Sequence, residues 1–267
     1  MKKRVLIFGN SHVAALKEAA SAHPDLWSDL DLTFVGTHRN MLLETTISES
    51  VLTPNTDRTR QYFVDYGGQP SFDLTEYDVL AIAGCQVTAM RMMQVYRFAR
   101  YMSLPSMTKV NDLATMSPAL VSQHAFAAGI ASSIKPTLGA TFARKLRHGT
   151  DAPILYLSQP RVAQAVMKTT KNALGALKKP VHHGDGPSLS HLFDTTITDL
   201  MNAIDVTFVP QPQDTVFKGL LTAQKYVNGA IRLTSEGRIK QPKEDLLHAN
   251  KAYGKKVLDQ VQQLVAA

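Results

Sequence analysis

The 267-residue chain has a single cysteine, Cys85, and few aromatic residues, which make up 7% of the total. One cysteine excludes an intrachain disulfide framework and fits a reducing compartment. No apolar run approaches the ~20 residues that a membrane-spanning helix needs. The N-terminal run VLIF stops at Gly9, so it is too short for the apolar region of a secretory signal. We therefore expect a buried strand there, no membrane partner and a cytoplasmic location.

The charge balance is basic, with 29 Lys and Arg against 22 Asp and Glu and a formal net charge of +7. Such a charge attracts acidic partners, among them nucleic acids. The basic residues fall in short clusters at 143–149, 168–179 and 251–256. Apart from Tyr253, these clusters lack the interleaved aromatic residues on which bases stack. The pattern favours a solvated basic face, and we do not expect a nucleic-acid partner.

Five short apolar runs recur along the chain, at 4–8, 32–35, 79–83, 154–157 and 206–209. They are continuous rather than alternating, which is typical of strands buried on both faces. Segments of helical composition lie between these runs, at 13–22, 87–102 and 119–146, and an amphipathic helix is predicted near the end of the chain, at 251–265. The rhythm predicts an α/β fold with a five-stranded parallel sheet and helices on both faces. We expect a single domain over residues 1–267, with long polar loops near 44–71 and 168–190.

A polar cluster, Gly9-Asn10-Ser11-His12, lies between the first predicted strand and the first predicted helix. In an open parallel sheet, ligands bind beyond the carboxyl ends of the strands. Asn10 and Ser11 are both strong helix caps, and Ser11 there could also be a nucleophile close to the N–H groups of the helix. His12 either lines the pocket or caps the helix. A nucleophilic serine needs a base and a group that orients the base.

Asp245 and His248 supply a possible base and orienting carboxylate just ahead of the last predicted helix. They are three residues apart, so one short turn can direct both side chains the same way. Asp-x-x-His alone is a weak pattern. Its combination with Ser11 after the first strand is more specific.

The combination of Gly9-Asn10-Ser11-His12 with Asp245 and His248 resembles the GDSL-like, or SGNH, hydrolases. The resemblance implies a three-layer α/β/α, flavodoxin-like fold and ester hydrolysis. It implies that Ser11 is the nucleophile, His248 the general base and Asp245 the residue that orients the base. The segment HANKAYG, which begins with His248 and has Asn250 two residues later, is similar to the family's His-x-Asn pattern.

The family's oxyanion hole uses the N–H of the nucleophile, a glycine after the second strand and an asparagine after the third. The resemblance therefore implies Ser11 and Gly36 for the first two donors. Gln86 stands where the asparagine is expected, and its amide is one methylene longer. Gln86 could instead cap the following helix. Asn40, in the loop after Gly36, is a further candidate for the hole or for substrate contact.

Three other features could belong to the site. Cys85 follows the third strand, and we interpret it as a residue of the pocket wall. Arg161 follows the fourth strand and either contacts an acidic or sugar substrate or is an exposed loop arginine. The sequence HHGD at 182–185 lacks the i, i+4 pairing of a zinc site. We expect no metal and no cofactor.

The resemblance favours a serine esterase that removes a small acyl group, such as acetyl, from a carbohydrate. The expected partner is a small-molecule or saccharide ester. Two alternatives stay open: an acyltransferase that uses the same three residues on a saccharide, and a relative that has lost catalysis and binds a glycan. The sequence does not indicate an oligomeric state.

Overall fold

The computed structural model describes residues 1–110, 117–170, 172–234, 237–242 and 244–266. Its strands are β1 Lys3–Gly9, β2 Leu30–Gly36, β3 Thr45–Ser48, β4 Val51–Pro54, β5 Phe72–Asp73, β6 Val79–Ala83, β7 Ala99–Arg100, β8 Ala119–Leu120, β9 Ile154–Leu157, β10 Thr207–Val209, β11 Val216–Phe217, β12 Leu221–Thr222, β13 Ile231–Thr234 and β14 Gly237–Lys240. Its α-helices are α1 Val13–Ala22, α2 Asp57–Gly67, α3 Met92–Phe98, α4 Gln123–Ile134, α5 Leu138–Gly149, α6 Asn172–Gly175, α7 Lys178–His183, α8 Gly186–Asn202 and α9 Lys251–Ala266. Short 3₁₀ helices span Met41–Leu43, Leu74–Glu76, Pro105–Lys109, Gln164–Lys168, Gln213–Thr215 and Gln224–Tyr226.

The central sheet has five parallel strands in the order β10-β9-β6-β1-β2. These are the five strands that the apolar runs predict, with ends that differ by at most two residues. Counted along the chain, the order is 2-1-3-4-5, which is that of flavodoxin-like sheets. The chain changes direction across the sheet between β1 and β6. Ligands in such sheets bind at this switch point, beyond the carboxyl ends of the strands, and Ser11 lies two residues after β1.

Two apolar cores lie on the two faces of the sheet. Successive side chains of a strand point to opposite faces, so β1 contributes to both cores. Val5 and Ile7 pack with side chains of α1 and α9. Leu6 and Phe8 pack with side chains of α2, α4, α5 and α8. Helices therefore cover both faces, as the continuous apolar runs predict.

The helix expected over 87–102 is shorter in the structure. It covers Met92–Phe98 and ends where β7 begins and pairs with β8. A continuous helix over 87–102 would place Phe98 and Met102 on its apolar stripe, but in the structure they are 66% and 58% exposed. Backbone pairing at the end of the segment rotates these side chains away from the stripe that a continuous helix would form.

The two predicted long loops contain regular structure. Residues 44–71 form the antiparallel pair β3 and β4 and the helix α2. The Thr56 hydroxyl caps α2 by accepting from the N–H of Thr59, at 3.2 Å. Thr59 and Phe63 are the buried residues of α2. Because the helix buries so few apolar side chains, its sequence lacks the apolar stripe by which an amphipathic helix is predicted. Residues 168–190 contain α6, α7 and the start of α8.

Within the described residues, no helix combines the length and apolar character that crossing a membrane requires. The assignment of the whole chain to one domain stays a prediction.

Candidate active site

Ser11, His248 and Asp245 form one chain of hydrogen bonds. The Ser11 Oγ is 2.8 Å from His248 Nε2, and His248 Nδ1 is 2.8 Å from Asp245 Oδ2. Ser11 is exposed, whereas the side chains of His248 and Asp245 are 18% and 16% exposed. A hydroxyl, an imidazole and a carboxylate linked in this order are the components that activate a nucleophilic serine.

Helix packing brings the two ends of the chain together. Ser11 lies just before α1, and His248 lies just before α9. The two helices approach so closely that a Cβ at Gly254 of α9 would overlap the carbonyl oxygen of Ala15 in α1. Glycine at this position therefore permits the contact that brings His248 to Ser11.

Backbone hydrogen bonds fix the segment that carries His248. The Leu246 carbonyl accepts from Ala163 N–H at 2.7 Å, and the Asn250 N–H donates to the Tyr226 carbonyl at 2.8 Å. The Asn250 side chain also accepts from N–H groups in the first turn of α9, at 3.0 and 3.3 Å. The asparagine that follows His248 in the sequence motif thus anchors the start of α9.

Asp245 is held in its ionised form. Its Oδ1 accepts from the N–H groups of Leu247 and His248, both at 2.8 Å, while Oδ2 faces the His248 ring. Burial raises the pKa of Asp245, but these hydrogen bonds outweigh it and lower the pKa to about 2. A carboxylate in this position selects the His248 tautomer that has a free Nε2 lone pair toward Ser11.

His12 stacks on His248, with ring centroids 5.1 Å apart and an angle of 26° between the rings. Its Nδ1 is buried and has no hydrogen-bond partner among the described residues. Burial, with a smaller contribution from the charge of His248, lowers the pKa of His12 to about 3. His12 is therefore neutral at physiological pH and forms a wall behind His248. It does not cap α1 through its side chain.

The turn after β6 has three consecutive residues in the left-handed region. The φ angles are 77° at Gly84, 53° at Cys85 and 73° at Gln86. A Cβ at Gly84 would lie 2.8 Å from Asn10 Oδ1 and from His12 Cδ2, so glycine also makes room for the turn after β1. Positive φ at a residue with a side chain costs on the order of 1–3 kcal/mol and persists where neighbouring contacts hold it.

Three hydrogen bonds hold this turn. Tyr156 Oη donates to the Gly84 carbonyl at 2.7 Å, and Gly139 N–H donates to the Cys85 carbonyl at 2.9 Å. The Gln86 N–H donates to Gln159 Oε1 at 3.0 Å. The backbone N–H of Gln86 is thereby occupied, which leaves its side-chain amide as the group able to donate to a ligand.

The amide of Gln86 is oriented by Arg91, whose Nη2 donates to Gln86 Oε1 at 3.3 Å. With Oε1 engaged, Nε2 is the end that can serve as a donor. Gln86 is exposed and lines the same cleft as Ser11. It does not cap α3, which begins six residues later at Met92.

A cleft of about 630 Å³ opens over Ser11. Gly36, at the end of the neighbouring strand β2, lines it, so the three residues assigned to the oxyanion hole share one cavity. The lining residues come from the ends of β1, β2 and β6, from α1, α2 and α5, and from the segment around β13: Asn10, Ser11, Val13, Ala14, Gly36, Thr37, His38, Arg39, Tyr62, Tyr66, Gln86, Leu138, Arg232, Gln241 and His248.

Asn40 and Arg161, two residues expected at the site, lie elsewhere. Asn40 is exposed and outside the cleft, whose wall is formed by its neighbours His38 and Arg39. Arg161 is 3% exposed and makes a bidentate ion pair with Asp194 of α8, at 3.0 and 3.1 Å. It also donates to Ser190 Oγ at 2.8 Å. Arg161 is neither a cleft residue nor an exposed loop arginine: it ties the end of β9 to α8.

Cys85 lies in the protein interior, and the segment HHGD at 182–185 runs from the end of α7 to the start of α8. Burial raises the pKa of the Cys85 thiol to about 12, so the thiol is unreactive, and Cys85 does not line the cleft. Asp185 is buried and accepts from Tyr96 Oη and Ser106 N–H, both at 2.7 Å. The described residues contain no group of three His, Cys, Asp or Glu side chains placed to hold a metal ion.

The sequence does not predict several of the residues that line the cleft. Tyr62 and Tyr66 of α2 stack with centroids 5.5 Å apart. Their i, i+4 spacing places both rings on one face of a helix over 57–67. Arg39 and Arg232 also reach the cleft, and nothing in their local sequence distinguishes them from other surface arginines.

The fold and this geometry define an α/β protein with a serine–histidine–aspartate chain at the carboxyl edge of a parallel sheet. No protein-family model matches the chain, and no curated protein sequence is similar to it. Among solved structures, the chain is similar to the periplasmic domain of a lipopolysaccharide acetyltransferase from Salmonella ser. Paratyphi A. The identity is 11% and the TM-score 0.44, over 100% of this chain and 85% of that one.

Proposed function

We propose that the protein is a serine esterase of the SGNH type. The observation that carries the proposal is the contact of 2.8 Å between Ser11 Oγ and His248 Nε2, with Asp245 bonded to the other ring nitrogen. An exposed serine hydroxyl next to an oriented base is the arrangement needed for nucleophilic catalysis.

In the proposed reaction, His248 takes the proton of Ser11 as the hydroxyl oxygen attacks the acyl carbonyl. Asp245 stabilises the imidazolium that forms. The negative charge on the carbonyl oxygen is stabilised by the N–H groups of Ser11 and Gly36 and by the amide of Gln86. The tetrahedral intermediate expels the alcohol, which receives the proton from His248, and an acyl-enzyme remains. Water, deprotonated by His248, then attacks the acyl-enzyme and releases the acid.

The proposed substrate is a small acyl ester, such as an acetyl group on a carbohydrate. The stacked Tyr62 and Tyr66 rings at the cleft support a ring-shaped alcohol, because aromatic side chains present flat apolar surfaces to ligands. The cavity of about 630 Å³ is of a size that holds a small ligand.

Turnover of p-nitrophenyl acetate tests the proposal. We expect Ser11→Ala to lower kcat by about 10⁴-fold or more, because the nucleophile and its proton transfer are lost together. Ser21→Ala is the matched control, since Ser21 is an exposed serine of α1 outside the cleft. Equal rates for the wild type and Ser11→Ala would contradict the proposal.

Acyl transfer to a saccharide is the second candidate. It uses the same three residues. The observation in its favour is that Tyr62 and Tyr66 of α2 form part of the cleft wall, where their rings can exclude water from an acyl-enzyme. A labelled acetyl donor, supplied with and without a methyl glycoside, separates the two reactions. Release of free acetate that is unaffected by the glycoside indicates hydrolysis, and a labelled ester of the glycoside indicates transfer.

A further inference from the structure

The part of the cleft over Ser11 that the structure describes is lined by two arginines. Arg39 follows β2, Arg232 lies in β13, and both line the cavity. None of the described residues that line it is an aspartate or a glutamate. A concave site lined by charge of one sign concentrates ligands of the opposite sign.

The two arginines differ from other arginines of the protein in their partners. Arg4, Arg147 and Arg161 are each ion-paired with a carboxylate. Among the described residues, Arg39 and Arg232 have no such pair within 4.0 Å. Their guanidinium groups are therefore available to a ligand, and a guanidinium can bind a carboxylate or phosphate through two hydrogen bonds.

An unusual backbone conformation at Arg39 determines which side chains of this turn line the cleft. Arg39 has a φ of 51°, in the left-handed region that residues with side chains seldom adopt. It lies in the turn closed by the hydrogen bond from Met41 N–H to the His38 carbonyl, at 3.3 Å. His38 and Arg39 line the cavity, while Asn40 lies outside it. The turn thus contributes a cation, rather than the neighbouring amide, to the cleft wall.

The stacked tyrosines complete the site. Tyr62 and Tyr66 offer an apolar surface in the same cavity that holds Ser11 and the two arginines. A ligand that uses all three features has an ester, a ring and an anionic group.

We infer that the substrate carries, besides its ester, a negatively charged oxygen group on a sugar-sized ring, which Arg39 and Arg232 bind. The group is a carboxylate, as in a uronic acid, or a phosphate ester, and both present the oxygen pair that a guanidinium binds. This inference rests on the proposed esterase function and specifies its substrate class.

Three acetylated methyl glycosides, of glucose, glucuronic acid and glucose 6-phosphate, test the inference by release of acetate. We expect kcat/KM of the wild type to be at least tenfold higher for one or both charged esters than for the neutral one. The larger of the two values identifies the carboxylate or the phosphate as the preferred group. The preference is expected to fall as salt is raised, because exposed charges are screened.

Variants assign the preference to the two arginines. In the double variant Arg39→Gln/Arg232→Gln, the ratio of kcat/KM for charged over neutral ester should fall at least tenfold. Arg58→Gln is the matched control: Arg58 is exposed on α2, outside the cleft, and its replacement removes a charge elsewhere on the molecule. It should keep the ratio of the wild type. Equal kcat/KM for all three esters, or an unchanged ratio in the double variant, would overturn the inference while leaving the esterase function intact.

A binding measurement tests the anion site separately from the proposed esterase function. Titration of Ser11→Ala with the methyl glycoside of glucuronic acid and with methyl glucoside 6-phosphate, by calorimetry, does not depend on catalysis. Binding of either compound that is lost with Arg39→Gln/Arg232→Gln supports the anion site, even if no ester is turned over and the proposed function has failed. Absence of binding of both compounds overturns the site.

Discussion

His12 should make the protein less stable in mild acid. The pKa of its side chain is about 3 in the folded protein, compared with an ordinary value of 6.5, because burial disfavours the charged ring. Between these values the unfolded chain binds a proton that the folded protein does not bind. Stability therefore rises with pH over this range and is lost as pH falls below 6.5, by about 1.4 kcal/mol per pH unit. Between pH 7 and pH 4.5 the expected loss from His12 is about 2–3 kcal/mol.

Urea unfolding of the wild type and His12→Phe at pH 7 and pH 4.5 measures this loss. Phenylalanine keeps an aromatic ring against His248 and has no proton to bind. The buried Trp27, the one tryptophan of the chain, reports unfolding by fluorescence. We expect the free energy of unfolding of the wild type, relative to the variant, to be about 2–3 kcal/mol lower at pH 4.5 than at pH 7. A difference between the two proteins that does not change with pH would refute the reasoning.

Three further variants test separate parts of the site. Gln86→Ala should lower kcat for p-nitrophenyl acetate by about 10²–10³-fold, which is the effect of removing one oxyanion donor. The melting temperature should not change. An unchanged kcat would exclude Gln86 from the oxyanion hole. Gly254→Ala should separate α1 from α9, lower the free energy of unfolding by about 1–3 kcal/mol and lower kcat; a variant as stable and active as the wild type would contradict the packing argument. Arg161→Met leaves Asp194 buried without its partner and should lower the free energy of unfolding in urea by about 3–5 kcal/mol. The KM of the folded enzyme should stay unchanged. A raised KM with little loss of stability would instead assign Arg161 to substrate binding.

The sheet and the proximity of Ser11, His248 and Asp245 could be predicted from the sequence because their signals are local or strongly patterned. Continuous apolar runs define the buried strands, and the cluster Gly9-Asn10-Ser11-His12 follows the first of them. Asp245 and His248 are close in sequence, and the parallel sheet leaves few positions for the segment that carries them. The hydrogen bonds between Ser11, His248 and Asp245 agree with this expectation.

What the sequence did not predict depends on contacts between distant segments. Arg161 is buried because Asp194, on α8, faces it, and a single arginine after a strand carries no sign of that partner. The positive φ angles of Cys85 and Gln86 depend on hydrogen bonds from other elements, and neither residue type favours that conformation. The helix α2 is concealed by its polar composition, so Tyr62 and Tyr66 could not be assigned to the cleft.

The central claim is that Ser11 is an activated nucleophile, and covalent labelling by a fluorophosphonate tests it most directly, because the reagent needs no knowledge of the natural ester. We expect the wild-type protein to gain one label, which peptide mass spectrometry locates on Ser11. His248→Ala, which removes the base, should be labelled far more slowly, and Ser11→Ala should not be labelled at that peptide. A wild-type protein that stays unlabelled, or a label on Ser11 that forms equally fast without His248, would contradict the account.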